Sequence, residues 1–157
     1  MAAPESNILR QPDASHMLRT GLPMKVTPYL LVTAIVEIGA GLALLIVPNA
    51  VSAWLLGAAS SDPASLFLAR WVGVALLAIG VASGLAREDA GGPARRGVLV
   101  AVVFYDVAAV LLLISATLGP RLAGPALWPA VVLHTLLAGW GGACFLAART
   151  ARPAGAA

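Results

Sequence analysis

Four side chains that could carry chemistry lie within long apolar stretches of the sequence, one in each stretch. They are Glu37, Arg70, Asp106 and His134. A charged side chain at the centre of a bilayer costs about 2.5–3.5 kcal/mol on insertion scales, so such residues face protein or water and are candidates for function. Carboxylates and an imidazole can exchange protons or bind a ligand, and a guanidinium can pair with an acid. The sequence therefore predicts a polar site inside an apolar protein.

The elements that must position these side chains are predicted from the composition. The chain has 157 residues, of which 60% are hydrophobic and 11% are charged, whereas an ordinary soluble domain has about 45–50% and 25%. About 20 helical residues cross the hydrocarbon core of a bilayer. Long runs with few charges therefore predict an integral membrane protein with four spans, at residues 28–47, 65–86, 97–118 and 126–148.

The predicted fold is an all-α membrane bundle of four helices that run up-down-up-down. Of the ten Lys and Arg residues, Arg70 lies within a span and Arg121 lies between spans three and four. The other eight lie at the ends of the spans opposite to the loop that contains Arg121. They are Arg10, Arg19, Lys25, Arg87, Arg95, Arg96, Arg149 and Arg152. This bias predicts that both termini are cytoplasmic, in a multi-pass protein of the plasma (inner) membrane. It also explains the net charge of +3, so the expected partner is the lipid bilayer and not nucleic acid.

The two terminal segments, 1–27 and 149–157, are predicted to be cytoplasmic tails. Residues 1–27 are polar and lack helical periodicity, so we expect them to be disordered. Ser15-His16-Met17 resembles a cloning scar, and Met24 followed by Lys25 would make a natural start. Part of residues 1–23 is therefore expected to be foreign to the native protein, and His16 is given no functional weight.

Two further features of the chain bear on its compartment. A cleaved signal peptide ending near Val51-Ser52-Ala53 is an alternative to span one, although an apolar run of this length that includes Glu37 favours a span. Cys144 is the single cysteine, which excludes an internal disulfide. We expect it to serve as a small apolar residue, because buried thiols are usually inert.

Small residues spaced four apart predict where the helices approach one another in lipid. Gly80 and Gly84 form a GxxxG motif in span two. The glycines predicted at helix contacts are Gly39, Gly73, Gly80, Gly84, Gly139 and Gly142. A small-residue face left exposed would suit a homo-oligomer or a partner in a membrane complex.

The depth of each ionisable residue predicts which of them meet. At about 1.5 Å per residue, Glu37 and Asp106 lie about 13 Å from the cytoplasmic edge, while His134 lies about 12 Å and Arg70 about 7 Å from the outer edge. Glu37, Asp106 and His134 therefore share nearly one plane, and the long Arg70 side chain could reach toward it. Tyr105 adds a hydrogen-bond donor beside Asp106.

Each of these residues has a structural alternative. Arg70 could extend to the outer headgroups, form an ion pair with Glu37 or contact a substrate. Glu37 and Asp106 could be neutral carboxyl groups that merely pack, and His134 could be a hydrogen-bonded core histidine instead of a proton relay or ligand group. We predict no metal site, because no HxxH, ExxH or CxxC spacing is present.

Two segments and the overall plan of the chain resemble a known family. The segments are Ala34 to Pro48 (AIVEIGAGLALLIVP) and Leu68 to Gly73 (LARWVG), the second followed by Gly80. With the chain length and the repeated hairpin, they resemble the DoxX-like family of small bacterial four-span membrane proteins, and the resemblance covers spans one and two best. It implies a link to respiratory or thiol redox systems and a quinone-linked or accessory role. The residues themselves predict no cofactor, and quinone enters only as a candidate through this resemblance. The lone cysteine argues against thiol chemistry carried by this chain itself.

The sequence lacks the motifs of soluble enzymes, including a Walker loop, GxGxxG and a nucleophile elbow. The leading prediction is a non-enzymatic membrane protein whose polar core binds a small polar or amphipathic ligand. The residues of that core are Glu37, Arg70, Asp106, His134 and Tyr105. One alternative is a proton-coupled transporter, and another is an accessory subunit of a membrane redox or quinone-linked complex.

Overall fold

The computed structural model of the chain describes residues 23–60, 62–90 and 92–150. Over these residues it contains five α-helices. They are α1 (Pro23–Ile46), α2 (Pro48–Leu56), α3 (Pro63–Ala86), α4 (Pro93–Leu118) and α5 (Leu127–Thr150). Of these, α1, α3, α4 and α5 are long and apolar enough to cross a membrane. The all-α class and the four long apolar helices predicted from the sequence are confirmed.

Proline sets the start of three helices. Pro48, Pro63 and Pro93 lie in the first turn of α2, α3 and α4, where the missing N–H is not needed and the fixed φ suits a helix. In α3 the carboxylate of Asp62 also accepts 2.9 Å hydrogen bonds from the backbone N–H and the hydroxyl of Ser65. Because these bonds favour the ionised form, they lower the pKa of the Asp62 carboxyl.

The short helix α2 occupies much of the segment predicted to be a loop between spans one and two. The sequence places the end of span one at Pro48, and proline does end the regular part of α1. The same residue then begins α2, since proline is favoured at the first position of a helix. The N–H of Ala126 donates to the carbonyl of Trp54 at 2.9 Å, which joins α2 to the segment before α5.

The boundaries of the helices differ slightly from those of the predicted spans. α1 begins at Pro23, inside the segment predicted as a disordered tail, and continues through Pro28. A helix can extend beyond its apolar run into polar residues. Hydropathy does not indicate where such an extension begins, so it could not be predicted from the apolar pattern. The parts of both predicted tails at 1–22 and 151–157, including His16, lie outside the described residues.

α1 packs mainly against α3, at positions where no side chain would fit. A Cβ atom added to Gly73 would lie 2.8 Å from the carbonyl oxygen of Gly41, and one added to Gly80 would lie 2.7 Å from the side chain of Ile38. A Cβ atom on Gly84 would make an ordinary contact with α1 at 3.9 Å. The glycines predicted at contacts in span two therefore do face α1.

Three other glycines do not pack as predicted. A Cβ atom added to Gly39, Gly139 or Gly142 would have no other described atom within 4 Å, apart from those of its own helix turn. In span four the closely packed glycine is Gly141, where a Cβ atom would lie 2.6 Å from the Tyr29 hydroxyl oxygen. Neighbouring positions on a helix point about 100° apart, so adjacent glycines meet different surroundings.

The buried core lies mainly among α1, α4 and α5, with Ala86 of α3 at its edge, whereas most large apolar side chains point outward. The core residues include Tyr29, Leu30, Leu99, Val102, Leu137 and Cys144. The exposed residues include Trp54, Trp71 and Trp128, each more than half exposed. An apolar exterior is expected where the helices face lipid, since lipid tails are as apolar as the side chains themselves.

Candidate functional site

Three helices bring an ionisable side chain to one place inside the protein. Glu37 comes from α1, Asp106 from α4 and His134 from α5, and one ligand atom of each lies within 4.8 Å of the other two. The exposed fraction is 1% for Glu37 and 0% for Asp106, and it is 13% for the His134 side chain. We call these three residues the acid–histidine cluster. The structure therefore brings together three of the residues that the sequence predicted to share a depth.

Asp106 is bonded on both of its carboxylate oxygens. Its Oδ1 lies 2.9 Å from Nδ1 of His134, and its Oδ2 accepts a hydrogen bond of 3.4 Å from the hydroxyl of Tyr29. When the carboxylate of Asp106 is ionised it can only accept, and Nδ1 of the imidazole is then the donor in that pair. The contact fixes which way the ring of His134 is turned.

Tyr29 belongs to the site, although the sequence pattern did not predict it. Tyr29, Thr33 and Glu37 follow one another at a spacing of four, which places them on one face of α1, and all three are buried. The ring of Tyr29 packs edge-on against Trp140 with centroids 5.6 Å apart. The absence of a side chain at Gly141 leaves room for its hydroxyl. The row of polar residues at 29, 33 and 37 is the signal that could have found it.

Glu37 has a carboxylate oxygen with no protein partner. Its Oε1 is buried and forms no hydrogen bond with any described residue. Tyr105 borders the same carboxyl group, close enough for a side-chain hydrogen bond. The ring of Tyr105 also packs edge-on against the imidazole of His134, with centroids 5.6 Å apart. A buried acceptor without a partner costs about 1–3 kcal/mol, and this oxygen can accept a bond from a ligand without displacing a protein group.

Arg70 does not reach the acid–histidine cluster, and this corrects its predicted place in the polar core. Its side chain is exposed, and its Nε donates to the carbonyl oxygen of Leu45 at 3.4 Å. Leu45 lies in the last turn of α1, where carbonyl groups lack helical partners and favour a nearby cation. Of the alternatives considered for Arg70, the ion pair with Glu37 is not formed, and the side chain contacts the end of α1 instead.

The acid–histidine cluster is short of positive charge when its groups are ionised. Two carboxylates carry two negative charges, and a protonated imidazole supplies one positive charge. Among the described residues, Asp106 has an ion pair with His134, and Glu37 has none. A net charge in an apolar interior is costly, so the cluster requires either bound protons or a bound cation.

Arg95, near the start of α4, is a buried cation that the sequence pattern did not predict. Its exposed fraction is 6%, and its guanidinium donates to the hydroxyl of Thr27 in α1 at 2.7 Å. Arg96 and Arg149 each lie 5.7 Å from the centroid of the Phe145 ring. These arginines join the start of α1, the start of α4 and the end of α5. Arg95 and Arg96 lie about 15–16 Å from Asp106 along α4, at about 1.5 Å per residue.

The donor atoms of the cluster allow several kinds of chemistry. Two carboxylates and an imidazole can hold a cation, and they can also pass a proton between them. The absence of local metal-binding spacings in the sequence does not bear on this arrangement, because each of the three residues comes from a different helix. Tertiary packing brings them together, and no short motif reports it.

The chain matches no protein-family model, and comparisons with curated proteins and with solved structures give no match either. The geometry of the acid–histidine cluster is therefore the basis on which function is assigned.

Proposed function

We propose that this chain is a small, non-enzymatic, multi-pass membrane protein that binds a small cation at the acid–histidine cluster. The observation that carries the proposal is the buried Oε1 of Glu37, which has no partner among the described residues. A cation there would supply a partner for this oxygen. It would also offset the excess of carboxylates over basic groups around it. Among the small polar or amphipathic ligands expected from the sequence, cations fit this arrangement best.

A proton-coupled transporter is the second candidate. The hydrogen bonds from Tyr29 to Asp106 and between Asp106 and His134 form a connected row, and Glu37 lies within 4.8 Å of the last two. Buried carboxylates paired with histidine are common in proton relays of membrane proteins. In this function Glu37 or Asp106 would exchange protons with His134.

Membership of the DoxX-like family, and with it a role as an accessory subunit of a quinone-linked redox complex, is a third proposal. The uncovered glycines at 39, 139 and 142 support it, because they leave small-residue faces on which another membrane helix could pack. We further propose a bacterial inner membrane location with both termini cytoplasmic. The arginines gathered around Phe145 and Thr27 support this orientation.

Thermal unfolding of the full chain in detergent micelles, with and without added cations, tests the leading proposal. The panel contains Na⁺, K⁺, Mg²⁺, Mn²⁺, Zn²⁺, guanidinium and tetramethylammonium chlorides. We expect at least one of them to stabilise the protein, by about 2.7 kcal/mol when its concentration is 100 times Kd. Glu37→Gln keeps the shape of the side chain and removes its charge, so it should abolish that stabilisation. Glu88→Gln changes an exposed acid in the loop after α3 and should leave it unchanged.

Two results would contradict cation binding at this site. One is a stabilisation that persists in Glu37→Gln, since the cation would then bind elsewhere. The other is a complete absence of stabilisation together with pH-driven proton uptake into liposomes that Glu37→Gln abolishes. That second result would favour the transporter.

A further inference from the structure

We infer that the acid–histidine cluster binds a divalent first-row transition metal ion of the Mn²⁺, Fe²⁺ or Zn²⁺ class. This inference rests on the proposed cation-binding function and specifies the ion. The donor atoms are two carboxylate oxygens and one imidazole nitrogen, all within 4.8 Å of one another. Such ions commonly use this mixture of oxygen and nitrogen ligands in proteins.

The charge of the cluster favours a divalent ion over a monovalent one. The carboxylates of Glu37 and Asp106 together carry two negative charges, and His134 binds a metal as a neutral imidazole. A divalent ion therefore makes the site neutral, whereas Na⁺ or K⁺ would leave one negative charge uncompensated. In a protein interior surrounded by lipid, a neutral site is the less costly one.

An independent observation points to a ligand and not merely to a group of polar residues. Asp106 and His134 satisfy each other at 2.9 Å, but Oε1 of Glu37 is buried without a partner among the described residues. If the three residues satisfied one another's hydrogen-bonding groups completely, no buried oxygen would be left without a partner. The carboxyl group that carries this oxygen lies where a metal ion shared with Asp106 and His134 would need its third ligand.

The distances in the cluster allow the site to close on a metal ion. With bonds of about 2.0–2.2 Å, the ligand atoms of a tetrahedral ion lie about 3.4 Å apart. Oδ1 of Asp106 and Nδ1 of His134 lie 2.9 Å apart as a hydrogen-bonded pair, so an ion that binds both atoms replaces the proton between them and moves them slightly apart. Glu37 has the longest and most flexible side chain of the three, and rotation about its bonds can bring its carboxylate inward. Ca²⁺ fits less well, because it takes six to eight oxygen ligands.

The test uses the full chain, freed of any affinity tag and of metal by treatment with EDTA, in detergent micelles. Titration with MnCl₂, followed by the electron paramagnetic resonance signal of free Mn²⁺, should give one bound ion per chain. Glu37→Gln and Asp106→Asn should each weaken Mn²⁺ binding by more than about tenfold. Loss of a residue that only supports a metal ligand already lowers metal affinity by about tenfold or more, and these two residues are ligands themselves. Glu88→Gln and His16→Ala are the matched controls and should bind as the parent does.

A spectroscopic measurement keeps the test valid even if a cluster variant fails to fold. Electron spin echo envelope modulation of Mn²⁺ bound to the parent protein should show ¹⁴N coupling from an imidazole, and His16→Ala should retain it. Coupling that disappears in His16→Ala, or bound Mn²⁺ with oxygen ligands alone, would overturn the metal site. So would unchanged affinity in a folded Glu37→Gln variant.

The outcome also separates the metal site from the broader proposal. If Mn²⁺ and Zn²⁺ do not bind but Na⁺, K⁺ or guanidinium stabilises the protein in a manner that depends on Glu37, the inference about the metal is wrong and cation binding stands. If no cation of the panel binds, both are wrong.

Discussion

Asp106 is the residue whose carboxylate connects Tyr29 of α1 to His134 of α5. It accepts from Tyr29 on one oxygen and pairs with His134 on the other, and it has no exposed surface. The ring of Tyr29 packs against Trp140, and its hydroxyl occupies space that a side chain at position 141 would fill. The orientation of the imidazole therefore depends on residues that do not belong to the cluster.

Substitutions at Tyr29 and Gly141 should show that these two positions are coupled. Tyr29→Phe removes one buried hydrogen bond and should cost about 0.5–1.5 kcal/mol of unfolding free energy. Gly141→Ala places a methyl group 2.6 Å from the Tyr29 hydroxyl oxygen and should cost about 1–3 kcal/mol. The cost of Gly141→Ala should be partly reduced in the Tyr29→Phe background, because the contact with the hydroxyl oxygen is gone while those with the ring carbon Cζ at 2.7 Å and with Cγ2 of Val103 at 2.6 Å remain. Denaturation of the four proteins in mixed micelles measures the cycle, and additive costs would argue against the coupling.

The sequence predicts the residues of the cluster better than it predicts their partners. Counting residues from the ends of the spans places Glu37, Asp106 and His134 at similar depths, because helical rise is regular. Arg70 is misplaced since a long side chain can extend in either direction, and its acceptor is a backbone carbonyl that a sequence does not reveal. Tyr29 is missed because an aromatic residue in an apolar run is usually a core residue.

At the scale of the helices, glycine determines how closely α1 and α3 approach. The backbones are in contact at Gly41 and Gly73, where an added Cβ atom would lie 2.7–2.8 Å from the facing carbonyl oxygen. The GxxxG pattern predicts the correct face of span two. Gly39 does not meet a neighbour, because the face that carries Gly41 is the one turned toward α3.

A pair of alanine substitutions tests this contact. Gly73→Ala should destabilise the protein by about 1–3 kcal/mol, because the two backbones must separate to admit the methyl group. Gly39→Ala is the matched control, since a Cβ atom there has no described neighbour within 4 Å. It should be neutral or stabilising, as alanine favours a helix over glycine by about 0.8–1.0 kcal/mol. Thermal unfolding by circular dichroism measures both, and an equal loss in Gly39→Ala would mean that a second chain covers that face.

The helix α2 shows where a pattern of hydropathy fails. Its nine residues are too few to span a bilayer, and it follows α1 with only Val47 between them. A proline after an apolar run is compatible with two structures, because it can end one helix or occupy the first position of the next. The backbone hydrogen bond between Ala126 and Trp54 helps to decide between them, and that contact is distant in the sequence.

For the whole molecule, the distribution of basic side chains supports one orientation in the membrane. Arg95 contacts α1, while Arg96 and Arg149 share the ring of Phe145. Arg121 lies in the segment between α4 and α5, next to the segment that bonds to α2. An excess of basic residues at one end is the sequence pattern that keeps that end in the cytoplasm.

Labelling of single cysteines in whole cells tests the orientation. In a Cys144→Ala background, Arg121→Cys should react with a membrane-impermeant maleimide in intact cells, since Arg121 is exposed. Glu88→Cys, also at an exposed position, should react only after the cells are made permeable. The reverse pattern would place the termini outside. Labelling of both in intact cells would contradict a single membrane span, α4, between the two positions.

The four long helices form two pairs, α1 with α3 and α4 with α5, and each pair has its closest contacts within itself. Glu37 belongs to the first pair, while Asp106 and His134 belong to the second. Anything held by all three side chains must therefore connect the two halves of the protein. By thermodynamic linkage, an occupant that holds the halves together is itself held more tightly when they are close. Substitutions that loosen the pairs against each other should consequently weaken its affinity, even at positions far from the carboxylates.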